Sequence, residues 1–339
     1  MRYIISSALA SLALSAATFS TPALAEVPRV VTDIPPVHSL VAQVMGDLGT
    51  PELLLEPGAS EHDFQLRPSQ AAGLADADLV VWIGPELTPW LTRALEGLEG
   101  GTRLALLASA GTELRDYAAG TGAQDHGDHG HGDDHGHGDG HAHGDDHADD
   151  HGHGDDHAHD HGHDHGHSHE GTDPHAWLDP ANAAHWAGVI AAELSALDPA
   201  NAATYAANAQ AAAAAIAATD AELAALLAPV RDRPAIVFHD AYGYFAAHYG
   251  LTLAGAIAAG DATAPGAARL AALRDETAPV CVFPEAQHDT RLAEQLAEAT
   301  GARLGAPLDP VGSSLVAGPA LYGDLMRALA SALAGCLAG

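Results

Sequence analysis

Residues 198–229 read DPANAATYAANAQAAAAAIAATDAELAALLAP, an almost unbroken alanine run between two prolines. Alanine is the strongest helix former, Asp198-Pro199 supplies an N-cap with proline at the first helical position, and Pro229 ends the run. Residues 199–227 therefore predict a rod about 43 Å long at 1.5 Å per residue, the length of a domain. On either side, short apolar runs alternate with helical stretches. Before the rod, residues 29–32, 53–55, 79–83 and 104–107 read as strands, with helices at 37–45, 68–74, 86–98 and 181–197. After it, strands at 235–238, 251–257, 280–283 and 303–304 alternate with helices at 242–249, 265–276, 290–300 and about 319–337. Such alternation builds parallel sheets covered by helices. The expected fold is α/β: two (β/α)4-like lobes with parallel sheets, joined by one long helix acting as a stiff spine. Ligands of such folds bind beyond the carboxyl ends of the strands, which places a cleft between the lobes. The expected boundaries are 26–198 for the first lobe, 199–228 for the connecting helix and 229–339 for the second lobe.

Two segments fall outside this alternation. Arg2, an apolar run over 4–17 and the small-x-small step Ala23-Leu24-Ala25 read as a cleavable signal peptide, residues 1–25. No later stretch reads as the roughly 20 consecutive apolar residues of a membrane span. The mature protein is then exported, free in the periplasm, and expected to be a monomer. The second segment, 125–169, holds 17 His, 13 Asp and 11 Gly, and repeats His-Gly-Asp-Asp-His at 131–135, 143–147 and 153–157. It has no apolar surface to bury and reads as a disordered loop. Imidazole with carboxylate oxygens makes it a weak, many-sited collector of transition metals.

Charge points the same way. The formal net charge is −32, and lysine is absent, so nucleic acid and anionic membranes are poor partners while a cation is a natural one. The only cysteines are Cys281 and Cys336. In an oxidising compartment two thiols most simply form one disulfide; a cysteine–histidine metal site is the alternative.

Seven histidines remain outside the loop: His38, His62, His175, His185, His239, His248 and His288. Three of them follow strands or lie at loop rims. His62 stands in Pro57-Gly58-Ala59-Ser60-Glu61-His62-Asp63, and His175 in Asp173-Pro174-His175-Ala176-Trp177-Leu178-Asp179-Pro180. His239 ends a strand in Val237-Phe238-His239-Asp240-Ala241-Tyr242. Strand ends feed the cleft, so these three can converge. His185 and His248 fall inside helices and read as structural, and His38 and His288 open helices as caps or rim residues.

The strings 57–63 with Arg67-Pro68-Ser69, 173–180 and 238–245 resemble the ligand motifs of the high-affinity zinc-binding proteins of ABC importers, a branch of the metal-binding solute-binding proteins. The resemblance extends over the whole mature chain, including the acidic His-rich loop before the second motif. It implies that His62 and His175 bind Zn²⁺ from the first lobe and His239 from the second. Glu61 takes the place where a carboxylate approaches the metal, with water as its competitor. Asp309 sits where manganese-binding relatives supply a carboxylate, and here reads as a loop residue. The family also carries a disulfide where Cys281 and Cys336 fall.

Three neutral imidazoles with one carboxylate or water suit four-coordinate zinc, whereas manganese favours more oxygen donors. Each ligand imidazole should donate its other N–H to an acceptor, with Asp63, Asp173 and Asp240 the candidates nearby in sequence. Affinity should fall as pH drops through the histidine range. The function implied is capture of Zn²⁺, as transported ligand, for an ABC permease. A periplasmic metal buffer or chaperone and a manganese-type binder are the alternatives. A zinc hydrolase is a further one, but the chain has no His-Glu-x-x-His helix and no separate general base, so no enzymatic activity is expected.

Overall fold

Leu79-Val80-Val81-Trp82 is buried at all four positions, as a strand covered on both faces must be. The computed structural model describes residues 26–62, 64–117, 171–258 and 266–339. The signal peptide and the His-rich loop expected from the sequence lie outside the described residues. The first half contains β1 (Val30–Thr32), β2 (Glu52–Leu53), β3 (Leu79–Trp82) and β4 (Thr102–Ala105). They pair in the order β2-β1-β3-β4, every pairing parallel. The crossovers carry α1 (Pro35–Met45), α2 (Pro68–Ala75) and α3 (Pro89–Glu96). All three open with proline in the first turn, where the missing N–H has no helical partner to lose. Two of these starts differ from expectation for that reason: α1 begins at the Pro35-Pro36 pair, and α3 waits for Pro89.

Two long helices follow, α4 (Pro180–Leu197) and α5 (Ala202–Leu227). The second half then contains β5 (Ala235–His239), α6 (Gly243–Tyr249), β6 (Leu253–Ala258) and α7 (Ala267–Glu276). It closes with β7 (Cys281–Val282), α8 (Arg291–Thr300), β8 (Arg303–Leu304) and α9 (Leu321–Ala338). Its strands pair parallel in the order β6-β5-β7-β8, the same winding as in the first half. Cys281 of β7 and Cys336 of α9 form a disulfide.

The spine is α5, 26 residues and so about 39 Å long. Residues 199–201 form a 3-10 turn before it, so the regular helix starts three residues later than its proline suggested. Asp198 is spent on side chains: it accepts from Asn201 Nδ2 at 2.6 Å and Tyr205 Oη at 2.9 Å. The Asn201 bond, helped by that of Tyr205, holds its carboxyl below the usual range. One stripe of α5 is buried, Tyr205, Ala209, Ala212, Ile216, Thr219, Leu223 and Leu227, at the three- and four-residue steps of a helix face. The expectation that no segment after the signal peptide could span a bilayer needs correction. Residues 199–230 are long and apolar enough by composition, because alanine counts as apolar. The buried stripe and the polar residues on its other faces mark a helix packed on protein.

One apolar core runs through both halves, joining α1, α4, α5 and α9 with the sheets. Polar ties reinforce it. Ser39 of α1 donates to the Pro319 carbonyl and accepts from the Tyr322 amide, each at 3.0 Å. Trp177 Nε1 donates to the Pro310 carbonyl at 2.8 Å, and its own carbonyl accepts from Tyr322 Oη at 3.0 Å. The shared core with its buried tryptophan and tyrosine ties the two halves together. At the exit of β1, buried Asp33 accepts the Ile34 amide at 2.8 Å and the Ile83 amide at 2.9 Å. Burial pushes its pKa up to about 7 against the pull of those two bonds.

His248 of α6 lies between two carboxylates, Asp179 at 3.0 Å and Asp220 at 2.8 Å. The Asp179 bond, with Asp220, raises its pKa from 6.5 to about 9 against partial burial. A histidine pKa raised by folding contributes stability that is complete below the unfolded value and lost as pH rises through the folded one. His248→Ala should therefore cost about 1–2 kcal/mol at pH 6, read by urea unfolding. The cost should shrink towards nothing by about pH 10, above both values of this group; an equal cost at both pH values would contradict the assignment.

Candidate metal centre

Five consecutive buried residues of β5 deliver His239 as the last residue of the strand. From the exit of β2, the loop that leads to α2 brings Glu61 and His62 to the same place. Glu61 is 1 % exposed, and its carbonyl accepts the Trp90 indole N–H at 2.9 Å. The His62 amide donates to Ser60 Oγ at 3.2 Å, and its side chain keeps 18 % exposure, which puts it at the mouth. His175 arrives from the first half, just before a single 3-10 turn over Ala176–Leu178, and is fully buried.

These four side chains converge as the sequence suggested. Glu61, His62, His175 and His239 each offer one ligand atom, and all four atoms lie within 4.8 Å of one another. Among the described residues this is the one group of three or more His, Cys, Asp or Glu side chains so placed. The imidazole centroids are 5.5 Å apart for His62–His175, 6.0 Å for His62–His239 and 5.3 Å for His175–His239.

The orientation of the rings is as telling as the distances. His175 Nδ1 lies 2.7 Å from Asp173 Oδ1, and His239 Nδ1 lies 2.6 Å from Glu285 Oε2. An ionised carboxylate only accepts, so Nδ1–H is the donor in each of these pairings, and Nε2 is the ring atom turned towards the cluster. Those two Nε2 atoms stand 3.5 Å apart. A cation placed between them would be bound by both rings. Ligand nitrogens about 2.0–2.1 Å from a tetrahedral zinc are themselves roughly 3.4 Å apart, close to the spacing found.

Of the three carboxylates expected to orient these rings, Asp173 does so for His175, and its Oδ1 also accepts the His175 amide at 2.9 Å. Asp63 lies outside the described residues. For His239 the partner is Glu285, which sequence reasoning missed in favour of neighbouring Asp240. Glu285 stands 46 residues away, yet it follows β7 directly, and a carboxylate just beyond a strand's carboxyl end was a usable signal. Glu285→Gln keeps the volume and removes the charge. Zinc affinity should fall about 10–100-fold while the fold persists, as read by competition titration.

The other candidates lie elsewhere. His38 Nε2 meets the Pro51 carbonyl at 3.2 Å, His185 Nε2 the Ala110 carbonyl at 3.0 Å, and His288 stacks on Phe238 at 4.4 Å. Asp309 organises its own loop, accepting the amides of Ser313 and Ser314 at 3.0 Å and the Ser314 hydroxyl at 2.8 Å. It is the loop residue that the sequence suggested.

Two parallel-sheet lobes on a long helix, with a histidine cluster between strand ends, define a metal-binding solute-binding protein. Residues 30–336 match the family described as ZnuA, zinc-uptake complex component A, periplasmic. The chain belongs to this ZnuA family. It is 56 % identical over 333 residues to the high-affinity zinc uptake system protein ZnuA of Paracoccus denitrificans (strain Pd 1222), covering 96 % of this chain and 98 % of that protein. The protein of the same description from Brucella abortus (strain 2308) is 42 % identical over 312 residues, 91 % of each chain. Among solved structures, a crystal structure of ZnuA superposes with TM-score 0.67 at 24 % identity, covering 91 % of this chain and 99 % of that one. The laminin-binding protein Lmb of Streptococcus agalactiae gives 0.68 at 22 % with the same coverage. At these identities the two structures speak for the fold alone.

Proposed function

We propose that this protein captures Zn²⁺ in the periplasm through His62, His175, His239 and Glu61, and passes it to the permease of an ABC zinc importer. The observation that carries the reading is the pair of inward-facing Nε2 atoms, 3.5 Å apart, whose Nδ1 partners are carboxylates. Three imidazoles and one carboxylate suit zinc better than manganese, and Asp309 is occupied by Ser313 and Ser314. The names of the relatives favour the same cargo. Residues 1–25 serve as the export signal, the mature chain works as a monomer, and 26–198, 199–228 and 229–339 are its lobe, spine and lobe. The reading carries no catalytic step. Residues 125–169 hold many weak sites that raise the local metal concentration at the cleft.

Competition titration against a chromophoric zinc chelator, on full-length mature protein and on a variant lacking 125–169, tests the division of roles. One tight site should survive the deletion while the weak ones vanish; loss of the tight site with the loop would overturn it. Delivery is tested by growth under zinc limitation. Removing this protein or its permease should give the same defect, and normal growth of either deletion strain would refute transport.

A further inference from the structure

We infer that helix α6 is the positioning element that fixes the spacing of His175 and His239, gripping the His175 segment at both ends through Tyr244 and His248. The inference rests on the zinc reading above. Tyr244 and His248 are four residues apart on a helix, so they share one face. At the near end, Tyr244 Oη donates to the Asp173 carbonyl at 3.1 Å and accepts the Arg115 amide at 2.8 Å. At the far end, His248 Nδ1 meets Asp179 at 3.0 Å, while its Nε2 meets Asp220 of the spine at 2.8 Å. Asp179 also caps α4 by accepting the Ala181 amide at 2.8 Å. Gly243 completes the fit, because a Cβ there would come within 3.0 Å of Asp173 Oδ2.

The segment between these grips, 173–179, carries His175 together with the Asp173 carboxylate that orients its ring. Helix α6 itself begins four residues after His239. One helix of the second half thus holds one ligand through its own chain and the other through its side chains. Coordination tolerates errors of only about 0.2 Å in ligand distance, so a small slip of the segment is felt at the metal. Neither Tyr244 nor His248 belongs to the ligand cluster; both act through other residues.

Zinc affinity and the rate of zinc release into excess chelator, measured on the full mature chain, test this. Tyr244→Phe and His248→Ala should each weaken binding about tenfold, chiefly by faster release. His248→Arg, which keeps a cation between the two carboxylates, should recover most of that loss. Arg327→Ala, which cuts the ties from α9 to Glu222 and Thr219 of the spine, should lower the melting temperature and leave release unchanged. Wild-type release from both Tyr244→Phe and His248→Ala would overturn the inference, and so would equally fast release from Arg327→Ala. If His248→Ala fails to fold, Tyr244→Phe decides. Retention of tight zinc by His175→Ala would instead mark the failure of the ligand assignment beneath it.

Discussion

Replacing His175 or His239 by alanine is expected to remove tight zinc binding. Zinc held by protein ligands at neutral pH is bound with an apparent free energy of about 10–16 kcal/mol, which over four ligands is roughly 2.5–4 kcal/mol each. Losing one ligand then weakens binding by roughly 100-fold to nearly 1,000-fold. Here the penalty grows, because Asp173 or Glu285 would keep its buried charge with no imidazole to receive it. His62→Ala should cost less, since that ring is partly exposed at the mouth and water can take its place. Competition titration gives the affinities, and zinc-dependent thermal protection is an independent reading. Binding that is tight stabilises the fold in proportion to the logarithm of zinc concentration over Kd. The two buried-histidine variants should show almost no such protection. Full protection in either one would remove that residue from the site.

Breaking the Cys281–Cys336 bond is expected to produce the second large effect. The two cysteines are 55 residues apart, and closing a loop of that length removes about 4 kcal/mol of chain entropy from the unfolded state. Paired Cys281→Ser and Cys336→Ser substitutions should lower stability by about 2–4 kcal/mol in urea unfolding. The bond also has a local consequence. It anchors β7 to α9, and Glu285 leaves β7 to hold His239, so the reduced protein should release zinc faster as well as unfold more easily. Unchanged stability after reduction would show that the core alone holds α9 in place.

How much of this was legible beforehand follows from the range of each interaction. The alternation of strands and helices is a local pattern, and every predicted element in the described residues has its counterpart. The ends of elements slipped where backbone pairing outruns composition. Residues 53–55 read as a strand, but β2 is Glu52–Leu53, although the amides of Leu54 and Leu55 still bond to the first strand's exit. The four converging residues were legible because each stands in a distinctive string after a strand or at a loop rim. Asp173 was legible for the same reason, two residues before the ring it orients. Glu285 offered only its place beyond a strand end, since its pairing with His239 exists only once β5 and β7 lie side by side. The grip of α6 was hidden for a like reason, and His248 looked like an ordinary helical histidine until Asp179 and Asp220 were brought to it.

The two sheets wind alike, so each reverses direction at one seam, between β1 and β3 in one and between β5 and β7 in the other. Such seams are where open α/β sheets receive ligands. The twin seams have parted ways in this chain. His239 and Glu285 meet across one at 2.6 Å, while Asp33 accepts the amide of Ile83 across the other at 2.9 Å. One winding used twice thus carries a carboxylate–imidazole pair at one seam and a carboxylate–backbone bond at the other.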